Sequence, residues 1–95
     1  MKTIEQIKKD KNWLACKKGY PMDPEGFPRG FLFQRLDDEY KEFIQVFTDY
    51  QYNDVMIDEA LLNELADISN LCDYIATKLT TGYPDKYTPQ QQGEK

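Results

Sequence analysis

Histidine is absent from this 95-residue chain. That removes the side chain most used in zinc hydrolase centres and excludes the Glu-x-x-His pattern of di-iron helical bundles. It also leaves no imidazole to serve as base for a cysteine nucleophile. Cysteine is scarce: Cys16 and Cys72 stand far apart, each within a helical pattern. Both read as reduced thiols in or near the core of a cytoplasmic protein, a disulfide or catalytic cysteine being the lesser alternative. No apolar run is long enough to span a bilayer and no signal-peptide pattern is found, so neither a membrane partner nor export is expected. Positive charge is in the minority, 12 Lys and Arg against 17 Asp and Glu, for a net charge of −5. With a pI of about 4.6, the chain is not expected to bind a nucleic acid polymer or an anionic membrane. No segment alternates with the period of a strand, no internal repeat occurs, and no Gly-rich phosphate loop is present.

What the sequence does contain is helical periodicity. The expected fold is all-α: three helices built on a long antiparallel helical hairpin. Residues 1–82 form one domain and residues 83–95 a polar, disordered tail. The first helix spans 3–18. It opens on a capping box, Thr3-Ile4-Glu5-Gln6, carries an incomplete apolar face of Ile4, Ile7 and Leu14, and stops at Gly19. Residues 19–30 hold three prolines and three glycines, too many for a helix or a central strand. That loop is expected to be pinned by Tyr20, Met22 and Phe27. The second helix runs from about Phe31 to Tyr50, with Pro28 near its first turn. A turn at Tyr52-Asn53-Asp54 follows, and Asp54 or Asp58 caps a third helix that ends near Thr80, before Gly82-Tyr83-Pro84. A chain this short buries roughly 60–70% of its unfolded surface. Three helices leave the bundle incomplete, so oligomerisation is expected to finish it.

The hairpin carries two acidic signatures, Asp38-Glu39-Tyr40-Lys41-Glu42 and Glu64-Leu65-Ala66-Asp67. Glu39 and Glu42, like Glu64 and Asp67, are spaced i,i+3, which puts each pair on one face of its helix. Glu42 and Glu64 are equidistant from position 53, and so are Glu39 and Asp67. A chain doubled back there brings the two pairs level. The apolar stripes Phe33, Leu36, Tyr40, Phe43, Phe47, Tyr50 and Leu61, Leu65, Ile68, Cys72, Ile75, Leu79 read as packing seams. Each acid precedes a seam residue by one position, about 100° of rotation. Equal offsets put all four carboxylates on one side of the hairpin, flanking the core. Like charges so close repel, and an oxygen-only cluster is what a hard divalent cation such as Mg²⁺ takes, with Mn²⁺ the alternative ion.

Three further features have two readings each. Lys8, Lys9, Lys11, Lys17 and Lys18 form either a solvated helix face, the favoured reading, or cations that reach an anionic ligand at the acidic cluster. Trp13 is core or a base-stacking platform, and core is favoured. Arg35, one turn before Glu39, is equally a phosphate contact and a salt-bridge partner of Glu39 or Asp38.

Over residues 31–80 the chain resembles the MazG-like all-α nucleoside triphosphate pyrophosphohydrolases, many of whose small members are phage-encoded. Leu36-Asp37-Asp38-Glu39-Tyr40 is similar to the family's Leu-x-Glu-Glu-x start. Asn63-Glu64-Leu65-Ala66-Asp67-Ile68-Ser69-Asn70 is similar to its Glu-Glu-Leu-Ala-Asp-x-x-Asn run. Two departures are Asp38 and Asn63, each standing where a Glu is usual. The resemblance implies Mg²⁺-dependent hydrolysis of a nucleoside triphosphate, chiefly a deoxynucleoside triphosphate, to monophosphate and pyrophosphate. It implies that Glu39, Glu42, Glu64 and Asp67 are the metal ligands and catalytic acids. Asn70 would bind metal or nucleotide, Arg35 is the best candidate for the triphosphate, and the assembly would be a homodimer or homotetramer. The alternative is a non-catalytic nucleotide-binding or protein-interaction module on the same fold.

Overall fold

The computed structural model describes residues 2–17, 23–53 and 58–87, with the side chains of 12–17 and 50–53 left aside. The expectations for the Trp13, Leu14 and Cys16 side chains, Tyr20 and Met22, the Gly19 stop, the Asp54 cap and residues 88–95 lie outside these. Among the described residues the fold is all-α, with helices α1 (Ile4–Lys17), α2 (Arg29–Asn53) and α3 (Asp58–Thr81) and no strand. A 3-10 turn, Pro24–Gly26, precedes α2.

The helix ends follow local chemistry. The capping box forms: the Gln6 N–H donates to Thr3 Oγ1 at 3.2 Å, and the Thr3 N–H donates to Gln6 Oε1 at 2.9 Å. Pro28 stands just before α2, and its carbonyl accepts the Leu32 N–H at 3.1 Å. α3 ends where Gly82 turns left-handed (φ 66°) and donates its N–H to the Lys78 carbonyl at 3.0 Å.

α3 packs against both other helices. Phe33, Leu36 and Tyr40 of α2 line one pocket with Ile68 and Cys72 of α3, while Glu39 meets the earlier Glu64 and Asp67, as an antiparallel pairing requires. On α1, Lys8 pairs with Asp73 at 2.8 Å and Lys11 with Asp67 at 3.1 Å, again in opposed directions.

The apolar seams are only half used. Leu36 and Phe43 of α2, and Leu61, Ile68 and Ile75 of α3, are half-buried. Phe33 (49% exposed), Tyr40 (55%), Phe47, Leu65, Leu79 and Cys72 remain outside. On α2 the inward stripe is Leu32, Leu36, Glu39, Phe43 and Val46, and on α3 it passes through Ala66, Asn70 and Lys78. This corrects the expected register of burial. α1 lies against the acid-bearing side of α3, so that side became the interior and the alternate seam residues were left on an open face. Cys72, expected in or near the core, is an exposed thiol.

Residues 83–87, assigned to the disordered tail, instead return to the 3-10 turn. The Gly26 carbonyl accepts the N–H groups of Lys86 (2.6 Å) and Tyr87 (3.1 Å). A Cβ on Gly26 would run into the Tyr87 ring, so a larger residue there would have to displace it. Phe27, expected to pin the loop, stacks on Phe31 (4.7 Å between centroids) and on Tyr87 (5.3 Å).

Candidate metal centre

Glu39 lies in the middle of the inward stripe of α2 and is 5% exposed. One turn earlier, Arg35 donates from Nη2 to Glu39 Oε2 at 2.7 Å, and its Nη1 stands 3.8 Å from Asp38 Oδ2. Arg35 is therefore the salt-bridge partner that one of its two readings required. The other oxygen of Glu39, Oε1, is buried with no hydrogen-bond partner among the described residues. On α3, Glu64 Oε1 is buried and unpartnered in the same way. Glu64 and Asp67 share a helix face, and the antiparallel register sets both against Glu39. One carboxylate oxygen from each of Glu39, Glu64 and Asp67 lies within 4.8 Å of the others.

Crowding and burial shift the protonation of these acids. Burial pushes the Glu39 carboxyl up to about 7, and the charges of Asp67, Glu42 and Glu64 push the same way against Arg35. Glu39 is therefore about half protonated at neutral pH. Glu64 is raised as well, by burial first, then by Asp67 and Glu42, with Lys11 opposing.

Glu42 stands apart from the three. It is exposed, and its charge pushes the Glu64 and Glu39 carboxyls up from nearby. Asn70 bonds α1. It is 6% exposed, and its Nδ2 donates to the Lys8 carbonyl at 3.1 Å, which ties α3 to α1. Lys41 pairs with Asp37 at 2.9 Å, away from the cluster. Lys11 reaches Asp67, whereas Lys8 pairs with Asp73. The lysine pattern had raised the possibility of such a reach without singling out Lys11; only the packing of α1 does that.

Three hard oxygen donors, two of them buried without a donor of their own, suit a small divalent cation. Unpartnered buried carboxylate oxygens are costly, and a cation would give each a partner. The residues present therefore fit such an ion. Compared with known proteins, the chain matches no family model, no curated protein and no solved structure.

Proposed function

We propose that the chain is a Mg²⁺-dependent nucleoside triphosphate pyrophosphohydrolase that converts a nucleoside triphosphate, chiefly a deoxynucleoside triphosphate, to monophosphate and pyrophosphate. The observation that carries this reading is that Glu39 and Glu64, each with a buried oxygen that has no hydrogen-bond partner among the described residues, cluster with Asp67. Glu39, Glu64 and Asp67 would hold the ion, with Glu42 at the rim. When bound, Mg²⁺ supplies charge neutralisation at the phosphates and an acidified water. Glu39 gives up the proton that burial holds on it. Glu42, exposed beside the cluster, is the acid best able to take a proton from an attacking water and pass it to solvent. Arg35 keeps Glu39 oriented. Phosphoryl transfer asks mainly for positioning and charge stabilisation, so the missing histidine and cysteine nucleophile are no obstacle. The exposed apolar stripe from Phe33 through Tyr40 to Phe47, with Leu65 beside it, supports closure against a second copy.

The test is pyrophosphate release from a panel of deoxynucleoside triphosphates with Mg²⁺, alongside the mass in solution. We expect turnover by an oligomer and a loss of about 100-fold or more in Glu64→Gln. Turnover unchanged in that variant refutes the assignment. Asn70, whose amide is committed to the Lys8 carbonyl, favours the second reading, a module that binds without turnover. Nucleotide binding with no pyrophosphate release would establish it.

A further inference from the structure

Lys11 is a lysine of α1 directed at the acidic centre. Its Nζ lies 3.1 Å from Asp67 Oδ2, and the two side chains are 27% and 28% exposed. Packing alone does not call for this charge. α1 is held to α3 by the Asn70 bond to the Lys8 carbonyl and the Lys8–Asp73 pair, and its Ile7 is 5% exposed. Lys11 also moderates the charge felt by Glu64. It therefore answers the charge of the cluster.

Its attachment differs from that of Arg35. Arg35 lies between two carboxylates of its own helix, Glu39 and Asp38, and is fixed there. Among the described residues Lys11 has one ion-pair partner, Asp67, which is also one of the three clustered acids. A divalent cation on Asp67 cancels the charge that holds the ammonium. An ammonium on a flexible four-carbon stem can then turn to a new anion with all three donors. The anion nearest to hand is whatever the cation brings with it.

We propose that Lys11 is an exchangeable counter-ion: it neutralises Asp67 in the cation-free chain and turns to the phosphates of a nucleotide when a divalent cation occupies the cluster. This rests on the pyrophosphohydrolase reading and adds to it a positioning residue from α1 that binds the phosphate chain. It also makes Lys11 a competitor of the metal, which gives the proposal two opposite signatures.

The experiment measures binding. Wild type, Lys11→Met and Lys11→Arg are titrated by calorimetry first with Mg²⁺ alone, then with a non-hydrolysable α,β-imido deoxynucleoside triphosphate at saturating Mg²⁺. Lys11→Met is expected to bind Mg²⁺ alone about threefold more tightly and the analogue about tenfold more weakly. Lys11→Arg is expected to stay near wild type for the analogue. A merely structural lysine would weaken both titrations or neither. Analogue binding by Lys11→Met within about twofold of wild type, or weaker Mg²⁺ binding, overturns the proposal while the metal reading stands. A wild type that binds no Mg²⁺ removes both. Should Lys11→Met melt below the assay temperature, Lys11→Gln takes its place in the same titrations with the same deciding outcomes.

Discussion

Asp23 and Glu39 are carboxylates of one small fold, and their surroundings are opposite. Asp23 is oversupplied with donors. The Tyr83 hydroxyl donates to one of its oxygens, the Tyr87 hydroxyl to the other, and Lys86 stands 3.5 Å away. Those two tyrosine bonds hold its carboxyl below the ordinary aspartate value. Glu39 is more deeply buried, has a single cation at one oxygen and nothing at the other, and is pushed up to about 7. A carboxylate saturated by protein donors has finished its chemistry and fastens a segment. One left buried with an open oxygen retains a place for something the chain does not supply. The two regions thus separate a structural clasp, where residues 83–87 close on the 3-10 turn, from a centre that is under-satisfied by its own residues.

The largest effect is expected at the clasp. Lys78 is 3% exposed, donates to the carbonyls of Glu25 (3.1 Å) and Tyr83 (3.0 Å), and pairs with Asp85. Lys78→Met keeps the aliphatic stem and strands two carbonyls. A loss of roughly 3–4 kcal/mol is expected, a large part of the stability of so small a domain. Chemical denaturation checks it. A loss below about 1 kcal/mol would mean that the clasp is ornamental and the contrast with the acidic centre is overdrawn.

The opposite sign is expected at the centre. Glu39→Gln removes a charge that burial and three neighbouring acids oppose, and should stabilise the cation-free protein by about 2 kcal/mol at pH 7.5. The sign follows from linkage. The folded state holds the Glu39 proton up to about 7, whereas the unfolded chain releases it near 4.3. Between those values the native state binds more protons, so stability falls as pH rises. The cation-free wild type should therefore melt higher at pH 5.5 than at pH 7.5, and Glu39→Gln should flatten that slope. Mg²⁺ should raise the wild-type Tm at pH 7.5 as RT ln(1 + [L]/Kd) and leave Glu39→Gln nearly unmoved. A variant less stable than wild type without the ion would remove the under-satisfied character assigned to the centre.

Much of this geometry was legible in the sequence. The capping box needs only Thr3 and Gln6 and was read directly. The meeting of Glu39 with Glu64 and Asp67 was expected from helical rise and i,i+3 spacing, although α2 continues as helix through Asn53, where a turn was expected, and Glu42 stays outside the three. The rotation of the hairpin was not legible. By hydrophobicity Tyr40 outranks Glu39, yet Glu39 is buried and Tyr40 is 55% exposed. That exchange depends on α1 choosing the acid-bearing side of α3, a contact between residues more than fifty positions apart, such as Lys11 and Asp67. The clasp was missed for the same reason. Asp23 meets Tyr83 and Tyr87 from 60 and 64 positions away, and a short polar stretch after a helix-ending glycine reads locally as a tail. One signal was available: Lys78, a cation in the last turn before Gly82, is the residue type that serves the carbonyls at a helix end.

The smallest effect sharpens the comparison through pH. Asp23→Asn keeps the shape of the side chain and loses the charge that two hydroxyls and Lys86 favour. The folded-state value of Asp23 lies below its unfolded value, so its contribution is present above about pH 3.9 and is lost as pH falls through the lower, folded value. That is the reverse of Glu39, whose contribution grows on acidification from neutrality. The two together predict a cation-free stability maximum on the acid side of neutrality, with the alkaline flank set by Glu39 and the acid flank set partly by Asp23. Asp23→Asn should lower the Tm by a few degrees at pH 6 and make the acid flank shallower, while the slope between pH 5.5 and 7.5 and the response to Mg²⁺ stay as in wild type. Thermal melts across pH decide the matter. If Asp23→Asn also altered the Mg²⁺ response, the clasp and the acidic centre would be one coupled unit, and a finished carboxylate at one end of α3 would be tuning the open ones at the other.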